Sequence, residues 1–236
     1  MKRVHQNIFL VLFLLLSLIL VGCGGGPTPE PEKVYNEANY TLTMTPTFEK
    51  ELTVDEVKAA LTAAKAQFAA AKSYSYSQEM RGEYNSPATY QGVTKIDVSG
   101  SAPQASIELT GTTAYAFYIA NGKAYLNYNG YKTAYEVSAN LSDLVEKTQE
   151  SLGAFVSFDA NAITADSLVF AGVDKDEATV VKYQVSEGAS VIIVIHKEKI
   201  MKVLYSNDDS MEYIAKYDYN PVTITLPSDL DSYILK

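Results

Sequence analysis

Along the chain, apolar and polar positions change period three times, and each change marks an element. The run 8–21 is apolar throughout except for Ser17 and follows Lys2 and Arg3. A bilayer core needs about 20 apolar residues to span, so this run predicts the apolar region of an export signal behind a basic start. Residues 53–72 then carry Val57, Leu61, Ala64 and Phe68 at helical spacing, with Thr53 and Glu56 placed as a capping box. Alanine fills most of the remaining helix surface, so the narrow apolar stripe suits a helix lying close on a sheet.

After residue 72 the period becomes two. Tyr74, Tyr76, Met80 and Tyr84 alternate with polar residues, and strands are predicted at 75–84, 89–99, 104–109, 114–120, 123–128 and 133–137. Asn121-Gly122 and Asn129-Gly130 supply the positive φ of type I′ hairpin turns, which makes an antiparallel meander here. A second helical stretch is expected at 141–156, with Leu141, Leu144, Val145, Leu152 and Phe155 on one side. Strands resume at 168–173, 179–186, 190–196, 199–206, 211–218 and 222–226. The stretch Val191 to Ile195 is apolar at every position, so a central strand covered on both faces is expected. The predicted architecture is α+β: a curved antiparallel sheet of about 11–12 strands wrapped over one or two plug helices.

Composition divides the chain differently. The single cysteine, Cys23, closes Leu20-Val21-Gly22-Cys23, which resembles the lipobox of bacterial lipoprotein signals at all four positions. That resemblance implies cleavage before Cys23 and a diacylglyceryl anchor on its thiol, and two or more acyl chains hold a protein at a membrane where one does not. Residues 1–22 are expected to be the signal, 23–43 the lipidated cysteine with a Gly/Pro tether, and 44–236 a single domain. Loss of the signal removes two of the 19 basic side chains and none of the 28 acids, which moves the net charge from −9 to −11. So acidic a body is a poor nucleic-acid partner.

Chemistry is scarce. The mature chain has one histidine, His196, and no tryptophan, so a Ser-His-Asp or Cys-His centre has only one imidazole to draw on, and zinc lacks ligands. His196 reads as a strand-end residue. Carboxylates gather at Asp174-Lys175-Asp176-Glu177 and Asp208-Asp209, where strands reverse, and read as turn residues bonding their own backbone. No catalytic residue, metal or cofactor is expected. The 18 tyrosines and 8 phenylalanines cover a half-exposed sheet or line an apolar concavity. The residues for such a lining are Tyr115, Phe117 and Ile119 on one strand face, with Tyr125, Met201, Val203, Tyr205, Met211 and Tyr213.

The order of helix, meander, helix and further strands behind a lipobox resembles the LolA-like lipoprotein carriers and the glycolipid-carrier lipoproteins of the LppX and LprG type. Thr94-Lys95-Ile96-Asp97-Val98, the stretch from Phe117 to Leu126 and the ending from Tyr217 to Ile224 are similar to such lipoproteins of low-GC Gram-positive bacteria. The resemblance implies an incomplete barrel, its concave face closed by helices around a hydrophobic cavity for acyl chains. The helix residues Val57, Leu61, Ala64 and Phe68 and, from the second helix, Leu144, Leu152 and Phe155 would join that lining. The mature chain's single arginine, Arg81, departs from carriers that would grip an anionic headgroup with a basic residue. Two functions follow: a non-enzymatic, monomeric lipoprotein on the extracytoplasmic face of the cell membrane that binds a lipid or other amphiphile, or an envelope adhesion or assembly module that meets a protein or cell-wall partner without a ligand cavity.

Overall fold

The structure is a computed structural model, and it describes residues 35–82, 89–101, 104–111, 114–136, 160–207 and 211–236. The expected signal, Cys23 and the second helical stretch with Leu144, Leu152 and Phe155 lie outside the described residues. One compact unit runs from Tyr35 to Lys236. No helix among the described residues is long and apolar enough to cross a membrane.

Thirteen strands form one unclosed sheet among the described residues: β1 Lys50–Glu51, β2 Ser73–Arg81, β3 Tyr90–Asp97, β4 Gln104–Gly111, β5 Tyr115–Ala120, β6 Lys123–Tyr128, β7 Tyr131–Glu136, β8 Leu168–Val173, β9 Thr179–Ser186, β10 Ala189–His196, β11 Lys199–Asn207, β12 Glu212–Asp218 and β13 Ile234–Leu235. Their spatial order is β1-β8-β9-β10-β11-β12-β2-β3-β4-β5-β6-β7-β13. The two meanders therefore join where β12 pairs with β2, bringing Tyr217 opposite Tyr76 and Tyr213 opposite Met80. The sheet is not wholly antiparallel as expected, because β13 pairs parallel to β7.

Both Asn-Gly turns adopt the predicted geometry, with φ of 54° and 72° at Asn121-Gly122 and 49° and 86° at Asn129-Gly130. A third turn, Lys197-Glu198, holds the same positive φ, 50° and 60°, without glycine. It is the short charged connection between the predicted strands 190–196 and 199–206. The expected strand 222–226 is not a strand: the chain there crosses the sheet, where Val222 N–H donates to Ser73 Oγ at 3.0 Å and Lys95 Nζ to the Thr223 carbonyl at 3.3 Å. Pro221 and Pro227 have no N–H to give a ladder.

The helix α1, Val54–Ala70, begins on the predicted box: Glu56 N–H donates to Thr53 Oγ1 and Thr53 N–H to Glu56 Oε2 at 2.9 Å. The Lys50 ammonium at 2.7 Å and the cap hydrogen bonds hold the Glu56 carboxyl down to about 2. The helix ends where Ala71 turns extended, its N–H still bonding the Phe68 carbonyl. Its stripe Val57, Leu61 and Ala64 is buried against Val181, Tyr183, Val191, Ile193, Val203, Tyr213 and Ala215. This is the inner face of the β8–β12 half.

The outer face of that half is covered by residues 35–48, in the stretch expected to be tether. Tyr40 is fully buried among Val180, Ile192, Val194 and Leu204, with Leu42, Met44 and Phe48 packed behind it. The strap is latched by polar groups. Lys202 Nζ donates to the Tyr40 carbonyl at 2.6 Å, Tyr40 Oη to Asp174 Oδ2 at 2.7 Å and Asn39 Nδ2 to Asp176 Oδ2 at 3.2 Å. Residues 35–43, placed in the tether by the sequence reading, thus belong to the folded unit, which begins at Tyr35. The acidic turn does bond its own backbone, Asp174 Oδ1 accepting from Asp176 and Ala178 N–H, but it also holds the strap. β10 is the two-faced central strand its composition predicts, with Val191, Ile193 and Ile195 under α1 and Ile192 and Val194 under the strap. The chain's end covers the outer face of the other half, with Leu226, Leu230 and Tyr233 on Tyr118, Tyr125 and Ala134.

Candidate functional site

The residues expected to line one cavity fall into separate groups. Val57, Leu61, Ala64, Val203 and Tyr213 belong to the core beneath α1, with Phe68 and Tyr205 packed at its margin. Side chains fill that space. Met201 is half-buried beside the irregularity in the β10–β11 pairing, and Met211 is half-buried just before β12, its N–H bonded to Asn207 Oδ1 at 3.0 Å. Tyr115, Phe117 and Ile119 share a face as expected, because β5 alternates and β4 places Leu109, Ile107 and Ala105 opposite them. Tyr125 does not join them. Its partners in the register are Tyr118 and Ala134, and it packs edge-on against Tyr233, ring centroids 5.5 Å apart, on the other side of the sheet. Successive residues of a strand face opposite ways, and Tyr125 lies in register with an even position of β5.

Following the register from β12 to β7 defines the inner face of the β2–β7 half. One row reads Tyr217, Tyr76, Thr94, Ile107, Phe117, Leu126 and Thr133; the next reads Ala215, Gln78, Gly92, Leu109, Tyr115, Tyr128 and Tyr131. The helix reaches only the start of this surface. Phe68 lies between the two cores, its ring 5.1 Å from Tyr74 and 5.6 Å from Tyr217, edge-on to the latter. Beyond it Tyr74, Tyr76, Ile96, Ala105 and Ile119 form a second buried cluster, while Leu109, Tyr115, Phe117 and Leu126 stay half-buried.

Phenols are the polar groups of this surface. Tyr76 faces the Thr94 hydroxyl, and burial pushes the Tyr74, Tyr76 and Tyr213 phenols up, with neighbouring phenols adding to the effect at Tyr74 and Tyr213. They therefore stay neutral at all physiological pH and act as hydrogen-bonding groups inside an apolar surface. Gln78 is buried next to them. Its Oε1 accepts from Tyr213 Oη at a long 3.5 Å, and its Nε2 is buried without a hydrogen-bond partner. An orphaned buried amide costs about 1–3 kcal/mol, and this one lies at the edge of the filled core.

Gly92 shapes the same place. A side-chain Cβ there would stand 2.0 Å from the Glu108 carbonyl and 2.7 Å from Leu109 Cδ2. Only glycine permits β3 and β4 to approach so closely. On the outer face, a trough of about 450 Å³ lies across β12, β2, β3 and β4, lined by Ser77, Glu79, Gln91, Glu108, Thr110 and Lys216 around Val93 and Ile214. It is open and mixed in character, polar side chains around an apolar floor, unlike the cavity the sequence anticipates.

His196 ends β10 as expected. Its ring stacks on Tyr35 with centroids 5.7 Å apart, and its Nε2 is buried without a partner. Sequence reading missed the Tyr74, Tyr76 and Tyr217 constellation as a site, though the alternation of Tyr74 with Tyr76 and Tyr217 with Tyr219 was its signal. No group of three or more metal-ligating side chains gathers among the described residues.

No family model matches the chain, and no curated protein matches it. Among solved structures, the chain is similar to the lipoprotein LppX of Mycobacterium tuberculosis at 10% identity and a TM-score of 0.48, over 73% of this chain and 100% of that one. It is also similar to a DUF1329 family protein from Desulfovibrio piger at 10% identity and a TM-score of 0.30, over 72% of this chain and 95% of that one. LppX is of the kind that the sequence resemblance names, and at these TM-scores the fold of the chain stands on its own sheet order and register.

Proposed function

We propose that the chain is a non-enzymatic lipoprotein, held by an acylated Cys23 on the extracytoplasmic face of the cell membrane, which binds a lipid or other amphiphile on the inner face of the β2–β7 half. One observation carries this reading: Leu109, Tyr115, Phe117 and Leu126 are half-buried on that face, directly beyond neutral buried phenols and the unpartnered Gln78 amide. Acyl chains need the first set and a headgroup the second. The filled interior under α1 moves the ligand away from the helix stripe and towards β3–β6.

The test is organic extraction of the purified protein with mass spectrometry of the extract, paired with uptake of a fluorescent fatty acid. Co-purified amphiphile and uptake that weakens on Phe117→Ala support the reading. An empty extract together with no uptake overturns it.

The second reading, an envelope adhesion or assembly module, is favoured by the side chains that fill the α1 interface and by the open outer trough of about 450 Å³ rimmed by Glu79, Glu108 and Lys216. It predicts an empty extract and retention of the protein on a cell-wall or envelope-protein matrix, lost on charge reversal at Glu79 or Glu108.

A further inference from the structure

Of the eight exposed large apolar side chains among the described residues, Val93, Val169 and Val185 stand singly on β3, β8 and β9, and the other five gather in one place. Tyr128, Tyr131, Tyr135, Ile234 and Leu235 all lie on β6, β7 and β13, at one edge of the open sheet, from 43% exposed at Tyr135 to 79% at Tyr131. The register places Tyr128 beside Tyr131, and Ile234 beside Thr133 between Tyr131 and Tyr135, all on the inner side. Leu235, in register with Ala134, faces the outer side. The edge itself is therefore apolar on both sides. We propose that this edge docks into the headgroup layer of the lipid bilayer that carries the chain's anchor; the proposal rests on the reading of Cys23 as acylated.

Three observations select a bilayer over another occupant. Tyrosine with aliphatic neighbours is the side-chain mixture that settles at a membrane–water interface, the ring in the apolar zone and the phenol wet. The charged side chains of β6 and β7 pair off, Lys123 with Glu136 at 3.4 Å and Lys132 with Asp229, so these strands add no net charge of their own to the edge of an acidic chain. A partner strand would find only the two residues of β13 to ladder with, whereas strands commonly run to about 5–6 residues. Five side chains also fall short of the roughly 20–30 residues a side of a stable dimer. Reach is sufficient, because the eleven residues between Cys23 and Tyr35 extend to about 40 Å, comparable with twice the roughly 17 Å radius of gyration of a domain of this length. Free backbone groups on β13 exclude the hydrocarbon core, so the edge rests at the headgroups.

The chain has no tryptophan, which makes a single reporter unambiguous. The full lipidated chain carrying Tyr131→Trp is incorporated into phosphatidylcholine vesicles with and without lipid brominated near the top of its acyl chains. The control is Val169→Trp, an exposed apolar position on β8 towards the other side of the sheet, 51% exposed against 79% at Tyr131. Blue-shifted emission and quenching of roughly twofold or more at position 131, with none at 169, support the proposal. Equal emission with and without bromine, equal quenching at both positions, or a shift that grows with protein concentration in the absence of vesicles overturns it, the last because a second copy then covers the edge. Flotation reads the anchor separately: a chain that floats but stays unquenched overturns the docking edge alone, and one that does not float overturns the anchor and the edge with it.

Discussion

The two halves of the sheet share strand length, pairing and alternation, yet they are finished in opposite ways. In the β8–β12 half, α1 fills the inner face and residues 35–48 cover the outer one, so β10 is buried on both sides. In the β2–β7 half the cover on the outer face is the chain's end, and the inner face runs out from beneath Phe68 into half-buried aromatic rows and an exposed edge. A sheet buried on both faces is a scaffold, because its side chains have no surface left to offer. A sheet whose inner face is half-covered keeps apolar area and hydrogen-bonding groups available, and the proposed binding site lies there.

The largest effects should separate the halves by stability. Ile193→Ala, in the doubly covered half, is expected to cost about 2–5 kcal/mol in urea unfolding, the range for truncating a buried aliphatic side chain. Phe117→Ala should cost clearly less, because its ring is half-buried, while removing most of the amphiphile uptake. Equal losses of stability would mean that the two inner faces are packed alike. Gly92→Ala comes next, at about 1–3 kcal/mol, since the new methyl meets backbone at the Glu108 carbonyl and only strand separation can relieve it. Its uptake should fall with its stability, whereas Phe117→Ala should separate the two.

The long strands β2 to β12, the two Asn-Gly hairpins and the two-faced character of β10 were legible because each is a local pattern, whereas the two-residue edge strands β1 and β13 were not and the expected strand 222–226 did not form. Hydrophobic periodicity and turn chemistry need only a few neighbouring residues. What was not legible depends on which strand lies beside which. Tyr125 looked equivalent to Phe117 and Ile119, and only the β5–β6 register puts it on the other side. Val203 and Tyr213 share a core with α1 rather than with Phe117 because β12 joins β2, a long-range pairing. The covering segment at 35–48 was hidden behind the Gly/Pro composition before it, although Tyr40, Leu42, Met44 and Phe48 carry alternate apolar positions. Lys202 was hidden for the opposite reason: a lysine between Met201 and Val203 reads as a solvent-facing position, and its partners are backbone carbonyls that sequence does not mark.

The buried phenols at the junction of the halves, together with Tyr118 beneath the chain's end, give a pH prediction. Burial raises the Tyr74, Tyr76, Tyr213 and Tyr219 phenols above the ordinary value of 10, and raises Tyr118 to about 12. In the unfolded chain they ionise at about 10. The stability they contribute is therefore complete below pH 10 and is lost as pH rises beyond it. Phenolate absorbance of these residues should emerge together with unfolding rather than before it. Tyr76→Phe should flatten the alkaline loss. An unchanged slope would place the sensitive phenols elsewhere.

The smallest expected effect concerns the cover of the scaffold half. Lys202 is buried and donates to the Tyr40 carbonyl at 2.6 Å, and the Glu37 carboxylate lies 3.9 Å away. Desolvation lowers its pKa, the nearby Glu37 opposes this, and Lys216 adds to the lowering. Lys202→Met removes a buried charge along with the donor. The relief of desolvation offsets part of the lost hydrogen bond, which leaves a net loss of about 1 kcal/mol at neutral pH. Because the folded pKa lies below the unfolded value of 10.5, the unfolded wild type holds the Lys202 proton more tightly than the folded one. Wild-type stability gains from this group as pH rises towards 10.5, whereas the methionine variant has no such gain. The difference between the two chains in urea unfolding should widen from pH 7 towards the onset of tyrosine ionisation, which is common to both. A gap that narrows with pH would mean that the ammonium is paired more strongly than it is desolvated, and that the 35–48 cover is held by charge and not by the packing of Tyr40.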